Sequence, residues 1–329
     1  MTGDRFVDVE GKNFITNKSI KHDSVNQEWL MYLDACNLYG YAMSQKLPTG
    51  NFRWMGDKEI KMLDYSIKNK KITGNEDTGY ILDVDLIVPK TDKFKNYPLA
   101  PESKIIKNEQ LSEYSKSLNE KIAETSKLIL DFQDKKNYVV HIKNLIYYHS
   151  LGCEFKINRV IQFTQSAWLQ SYIDLNTKLR IQSKNDFEKD FFKLMNNSVF
   201  GKLMENIRER VDIKLATTWE YARKYIKKPT FSHIKVFDEK LTAIHMRRNL
   251  TKFNKPVYAG FCVLELSKNL MYETYYEKFQ KMFNDVQMIY TDTDSMVLHI
   301  KNSGNIYQIM KEHEDLFDMS EYPKDQNVT

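Results

Sequence analysis

Two aspartates, Asp292 and Asp294, stand one residue apart in the stretch Tyr290-Thr-Asp-Thr-Asp-Ser295, between the apolar runs Val286 to Ile289 and Met296 to Ile300. Short strand-like runs on either side of a polar turn predict a β-hairpin with both carboxylates at its tip. Like charges held this close repel and raise each other's pKa unless a cation neutralises them, so the chemistry on offer is divalent-metal binding. The competing reading is an ordinary turn in which aspartate side chains satisfy nearby backbone donors. Two further stretches bear on the choice. Within Trp29 to Tyr41 an apolar run, Leu30 to Leu33, delivers a third carboxylate, Asp34, to a turn that carries Asn37, Leu38 and Tyr39. Within Lys189 to Gly201 the pattern is helical. At about 100° per residue from Lys189, Lys193 falls at about 40°, Asn197 at about 80° and Phe200 at about 20°, with Phe187, Phe191 and Leu194 on the opposite face. A solvated lysine face explains the lysines but not Phe200 among them. Cations for phosphates, an aromatic ring to stack on a base and an amide to hydrogen-bond are what a nucleotide-gripping helix needs.

In this order the three stretches resemble motifs A, B and C of the family B DNA polymerases, most of all the protein-primed branch of viruses, linear plasmids and self-synthesising transposons. The resemblance runs from Trp29 to Ile300. It implies an α+β fold: a right-hand polymerase palm, in which an antiparallel sheet with helices carries the three aspartates, plus helical fingers. The implied activity is DNA-directed DNA synthesis, the addition of dNMP from a dNTP to a 3′-hydroxyl on a DNA primer-template by a two-metal mechanism. Asp34 and Asp294 are the implied ligands of both ions, and Asp292 the less essential member. Hard oxygen ligands with no His or Cys nearby in sequence favour two Mg²⁺ ions, with Mn²⁺ able to substitute. Lys189, Lys193 and Arg180 are implied to hold the triphosphate, with Asn37, Leu38, Asn197 and Phe200 around the nucleotide. Tyr39 matches the family's steric gate against a ribose 2′-hydroxyl; its alternative is a core aromatic. Gly201, Tyr290, Thr291 and Thr293 are assigned to the DNA. A terminal priming protein is the further implied partner.

The chain departs from the usual pattern in several places. Asn37 and Gly40 stand where motif A commonly has serine and proline, and Phe200 replaces a tyrosine. The upstream exonuclease motifs and the Lys-x-Tyr motif expected after motif C are missing, which suggests a fragment of a longer product or a decayed mobile-element copy, its thumb truncated or absent. A catalytically silent DNA-binding remnant is therefore the alternative function. A reverse transcriptase fits less well, because its paired aspartates are adjacent, whereas Thr293 separates these two.

The positioning elements follow from composition and pattern. The 329 residues suffice for several subdomains, and a net charge of +5 suits a nucleic-acid binder without demanding one. Three cysteines without a CxxC pair indicate neither zinc module nor disulfide framework, and a reducing, intracellular setting is the default. No run approaches the apolar length of a membrane span, and the polar N-terminus does not read as a signal peptide. Most of the 20 tyrosines are expected in the core. Residues 1–27 read as a poorly ordered stump, 28–90 as the first part of the palm, 91–165 as an insertion and 166–210 as fingers. Residues 211–256 read as a basic insertion, 257–302 as the second part of the palm and 303–329 as the start of a truncated C-terminal region. The strand ending at Asp34 reads as apolar on both faces. In Gly79 to Pro89, Asp83 and Asp85 share one strand face, either as a second carboxylate pair or as a solvated acidic surface. Charged helix is expected over Leu111 to Leu130, a helix capped by Asp186 over Asp186 to Glu209, and one long helix over Val257 to Phe283. Between Val211 and Pro256, eleven Lys and Arg face four Asp and Glu, a surplus larger than the net charge of the whole chain. That run is either a solvated face or a contact for the DNA backbone.

Overall fold

The computed structural model describes residues 28–118 and 126–317, and the expectations for residues 1–27 and for the polar end from Tyr322 to Thr329 lie outside them. In chain order come β1 (Glu28–Asp34), α1 (Leu38–Met43), β2 (Leu47–Trp54), α2 (Asp57–Lys68), β3 (Thr78–Ile87), β4 (Glu102–Ile105), α3 (Glu113–Leu118) and β5 (Ser126–Ile129). Then follow β6 (Lys135–His141), α4 (Ile142–Ser150), β7 (Glu154–Ser166), α5 (Gln170–Gln182), α6 (Asp186–Leu203), β8 (Asp212–Ala216), α7 (Trp219–Ile226), β9 (Phe231–Asp238) and β10 (Leu241–Met246). The last elements are α8 (Val257–Glu273), a π-helical turn (Thr274–Phe279), α9 (Gln280–Met282), β11 (Asp285–Asp292), β12 (Ser295–Lys301) and α10 (Ile306–Glu312). The α+β class is the expected one. Leu194–Phe261 forms one compact unit and the other described residues a second.

In the larger unit, β1, β12 and β11 form an antiparallel sheet in that order, and β2, β7, β3 and β6 form a second. One continuous core joins the inner faces of both, from Met31 and Leu33 through Leu82, Val84 and Leu86 to Leu298 and Ile300. Tyrosines fill much of it: Tyr97, Tyr138, Tyr148, Tyr272, Tyr275 and Tyr276 are all buried. Alternation along β3 sorts its residues as expected, but Asp83 and Asp85 are neither a metal pair nor a freely solvated surface. Asp83 is buried and takes the Arg159 guanidinium at 2.8 and 3.1 Å, while Asp85 accepts from the Asn137 backbone at 3.0 Å and from Asn158 at 3.1 Å. Cross-strand pairing with Arg159 supplies the counter-charge that a carboxylate needs when it leaves water.

Four expectations are corrected. The strand β1 is not buried on both faces: it is an edge strand, with Leu30 58% and Tyr32 46% exposed while Met31 and Leu33 are buried. An antiparallel sheet can face water on one side, and apolar residues on that side carry no burial signal of their own. The helix expected over Leu111 to Leu130 is confined among the described residues to α3, because Ser126–Ile129 pairs with β4 as a strand. Asn185 rather than Asp186 caps α6, its Oδ1 accepting from the Glu188 backbone N–H at 2.9 Å. The long helix before the hairpin is broken by the π turn, six residues with a wider backbone spacing.

The smaller unit holds the sheet β8-β10-β9. Helix α7 starts at the N-cap Thr218, and Ala216, Ala222, Ile244 and Met246 form a small core. Its cations are partly tied down: Glu205 is paired with Arg210, with Lys202 at 2.8 Å and with Lys255 at 3.4 Å, which holds its carboxyl well below the usual range.

The one-sidedness of β1 is testable. Met31→Ala should cost about 2–5 kcal/mol in urea denaturation, the range for a large-to-small core change, whereas Leu30→Ala should stay within about 0.5 kcal/mol. Equal losses would mean that both faces are covered.

Candidate active site

A two-residue turn, Thr293 and Asp294, joins β11 to β12, with Asp292 directly opposite Ser295. Thr293 has φ +54°, a left-handed conformation that a β-branched residue adopts only under strain of about 1–3 kcal/mol. A dense set of short-range bonds holds it there. The Asp294 backbone N–H donates to the Asp292 carbonyl at 2.6 Å, and so does the Ser295 hydroxyl at 3.1 Å. The Thr291 hydroxyl donates to the Ser295 carbonyl at 2.9 Å and the Thr293 hydroxyl to Asp292 Oδ1 at 3.1 Å. The tip then reaches the first motif: the Ala35 N–H donates to the Asp294 carbonyl at 2.8 Å, and Asp34 pairs with Ser295 across the sheet. Asp34 and Asp294 thereby become neighbours. Burial, and next the charge of Asp294, lift the Asp34 carboxyl above its usual range, while the Lys193 ammonium pulls it back.

A tyrosine framework that the sequence reading did not identify holds the hairpin from behind. A bulge interrupts β11 between Met288 and Tyr290. There the Tyr275 hydroxyl accepts from the Met288 N–H at 3.2 Å and donates to the Val286 carbonyl at 3.4 Å, serving both backbone groups. Tyr275 sits in the π turn, as does Tyr276, whose hydroxyl donates to the Tyr97 carbonyl. The Tyr97 ring stacks on Tyr272 at 4.5 Å, and burial raises its phenol pKa while the nearby Thr291 side chain of the hairpin draws it down. The available signals were the proline-bounded segment Asn96-Tyr-Pro-Leu-Ala-Pro-Glu102 and the cluster Tyr272, Tyr275 and Tyr276 in a helical stretch.

In the first motif the two departures from the common pattern account for each other. A Cβ on Gly40 would come within 2.1 Å of Asn37 Nδ2, so the asparagine side chain occupies the space that a larger residue at position 40 would need. Leu38 is 3% exposed in the core, leaving only its backbone for any nucleotide. Tyr39 is partly buried, and burial followed by the charges of Asp294 and Asp292 raises its phenol pKa, which puts the ring within electrostatic reach of both aspartates.

The structure thus gathers Asp34, Asp292, Asp294, Tyr39 and Lys193. Arg180 spends a guanidinium N–H on the Cys36 carbonyl at 3.3 Å, bracing the turn after Asp34, and Lys189 lies 3.6 Å from Asp186 on its own helix. Asn197, Phe200 and Gly201 belong to the smaller unit, and a Cβ on Gly201 would meet open space. Tyr290 is exposed on β11. Among the described residues, no three His, Cys, Asp or Glu side chains converge to hold a metal ion. The donor set nevertheless suits Mg²⁺, which keeps much of its water and binds through one or two carboxylates plus substrate phosphates rather than in an all-protein cage.

The family described as DNA polymerase type B, organellar and viral, matches residues 15–299. No curated protein matches the chain. Among solved structures, phi29 DNA polymerase in an orthorhombic crystal form is similar at TM-score 0.44 and 14% identity, over 83% of this chain and 39% of that one. The phi29 DNA polymerase binary complex with primer-template DNA is similar at TM-score 0.43 and 15% identity, over 91% and 40%. Its ternary complex with primer-template DNA and incoming nucleotide substrates gives 0.43 and 14%, over 91% and 41%. The chain spans about two fifths of the length of that polymerase.

The strained charge pair has a pH signature. A raised Asp34 pKa means that folding favours the protonated form, so burial of the charge and its repulsion by Asp294 cost stability at neutral pH, a cost that disappears as pH falls below the ordinary aspartate value of about 3.9. With divalent cations chelated, Asp34→Asn should melt at a higher temperature than the unsubstituted protein at pH 7, and the gap should close on acidification. Added Mg²⁺ should raise the melting temperature of the unsubstituted protein more than that of the variant. A variant that melts lower at pH 7 would show that the carboxylate is already compensated.

Proposed function

The chain belongs to the organellar and viral type B DNA polymerases, and on that footing we propose that it carries out DNA-directed DNA synthesis. In this reaction a primer 3′-oxygen forms a bond to the α-phosphorus of a dNTP, the bond to the β-phosphate bridging oxygen breaks, and pyrophosphate leaves. The observation that carries the reading is the Asp34 and Asp294 pair, two carboxylates from separate motifs held together by the bond from Ala35 to the Asp294 carbonyl. Such a pair is costly without a cation. Asp34 and Asp294 are the residues to hold two Mg²⁺ ions, with Mn²⁺ able to substitute, and Asp292 at the exposed side of the turn is the outer member. Bound metal would supply activation of the 3′-hydroxyl and neutralisation of the triphosphate charge.

The remaining roles follow from side-chain chemistry. Lys193, whose charge already reaches Asp34, and Lys189 serve the triphosphate. Arg180 acts chiefly by bracing the turn through Cys36. Tyr39, on α1 beside the aspartates, blocks a ribose 2′-hydroxyl and so selects deoxynucleotides. Asn37 and the backbone of Leu38 border the same space, and Asn197 and Phe200 contribute an amide and a stacking ring for the nascent pair. Tyr290, Thr291 and Thr293 of the hairpin serve the DNA, as does Gly201 of the smaller unit, and the basic surplus of Val211 to Pro256 serves the phosphate backbone. The motif forms favour the protein-primed branch, in which a terminal protein offers the first hydroxyl.

Primer extension should fall by at least about a hundredfold in Asp34→Asn and in Asp294→Asn, with DNA affinity by gel shift nearly unchanged, because each change removes a metal-holding charge and no phosphate contact. Retention of a tenth of the original rate by either variant would sink the assignment. Tyr39→Ala should raise the efficiency of ribonucleotide relative to deoxynucleotide incorporation. An unchanged ratio in competition assays would make Tyr39 a core residue.

A further inference from the structure

A cavity of about 320 Å³ that shares no residue with the carboxylate centre is walled by Tyr41 from α1, Lys143 and Tyr147 from α4, and Asn269, Leu270 and Glu273 from α8. Room for the lysine is built in. Its stem runs over Gly74, which has φ +81° and where a Cβ would come within 2.7 Å of Lys143 Cγ. Among the described residues no carboxylate stands within ion-pair distance of the Lys143 ammonium, and burial lowers its pKa against the attraction of Glu273 and Glu76, with Lys46 adding to the lowering. Opposite in sign, Glu273 accepts from Asn269 Nδ2 at 2.6 Å. That bond commits the donor side of the amide and leaves Asn269 Oδ1 buried with no hydrogen-bond partner among the described residues. Glu273 is also the last residue before the π turn, a backbone irregularity that recurs at functional sites.

The hydrogen-bond inventory of this cavity is uneven in an informative way. Lys143 brings an ammonium with donors to spare, whereas Glu273 brings only acceptors. The rest of the wall mixes the apolar Ile146, Leu266 and Leu270 with the polar Gln45, Thr73 and Asn75. Water could satisfy either end, but a ligand that satisfies both needs an oxyanion at one end, an ammonium at the other and a short aliphatic body between. We infer that this cavity is a binding site for a compact zwitterion, with Lys143 receiving its carboxylate or phosphate and Glu273, oriented by Asn269, receiving its ammonium. Its volume falls at the lower end of small-molecule sites, in keeping with a ligand of amino-acid size. Tyr41 lies two residues beyond Tyr39 on the same short helix, so an occupant touching Tyr41 restrains the helix that carries the proposed gate.

The test is calorimetric titration of the full chain with two zwitterionic probes, γ-aminobutyrate for the carboxylate and O-phosphoethanolamine for the phosphate. Butyrate and butylamine serve as single-charge controls. At least one zwitterion should bind saturably with one site per chain, and the controls at least about tenfold more weakly. Lys143→Met and Glu273→Gln should each weaken binding about tenfold or more, with cooperative melting retained as the check on folding. The comparison with the single-charge controls stands on the unsubstituted protein alone and does not depend on either variant folding. No saturation by either zwitterion up to the millimolar range overturns the proposal, as do controls that bind equally well or affinity unchanged in both folded variants. Nucleotide incorporation is not read in this experiment, so its outcome is independent of the polymerase assignment.

Discussion

A backbone hydrogen bond from Ala35 to the Asp294 carbonyl brings two like charges together, and much of the larger unit is arranged around holding them there. The charges resist: Asp34 is partly buried and its carboxyl is pushed above the usual range by burial and by its neighbour. Repulsion of this kind persists in a folded protein only when the surrounding structure over-determines the geometry. Here the over-determination is visible on three sides. The sheet pairs Asp34 with Ser295, the turn is laced by four hydrogen bonds around Asp292 and Ser295, and Thr293 is held at a positive φ.

The tyrosine framework adds to these three. A helix that simply ran on to the hairpin would present its side chains at about 100° per residue, a period that does not match the two-residue repeat of a strand. The π turn Thr274–Phe279 changes that phase locally and brings the Tyr275 hydroxyl to the β11 bulge, where it serves one donor and one acceptor of the interrupted ladder. Through the Tyr276 hydroxyl on the Tyr97 carbonyl the same turn also holds Tyr97, whose phenol lies near Thr291 of the aspartate hairpin. The two irregularities, the π turn in the helix and the bulge in the strand, are therefore complementary, and neither is a defect. The motif A turn shows the same logic on a smaller scale, since Asn37 and Gly40 fit only as a pair.

Membership of a polymerase family and the details of this chain answer different questions. The family match covers residues 15–299 and accounts for the order of the three motifs. It says nothing of the cavity beside α4, whose lysine is given room by a glycine from a different loop. That cavity and the carboxylate centre share α1 as a common wall, with Tyr39 and Tyr41 serving one each.

The sequence by itself determined the elements whose signals are local. The hairpin of Asp292 and Asp294 was legible because two apolar runs flank a polar turn, β3 because its alternation is clean, and α6 because its period is helical, and the three motifs were legible from residue types in order. Local patterns report which residues share a face, but not whether anything covers that face. Leu30 and Tyr32 looked as buried as Met31 and Leu33, and only which face of the sheet packs on the core decided between them. The same limit applies to Asp83, whose burial depends on Arg159 arriving from a strand 76 residues away. It applies again to the framework of Tyr97 and Tyr275, because a hydroxyl that completes a strand's hydrogen bonding leaves no periodicity in either segment. Tertiary structure alone decided that, among the described residues, Lys143 feels Glu273 and Glu76 without an ion pair to either, since the distance between charges is a property of the packed chain and not of the order of its residues.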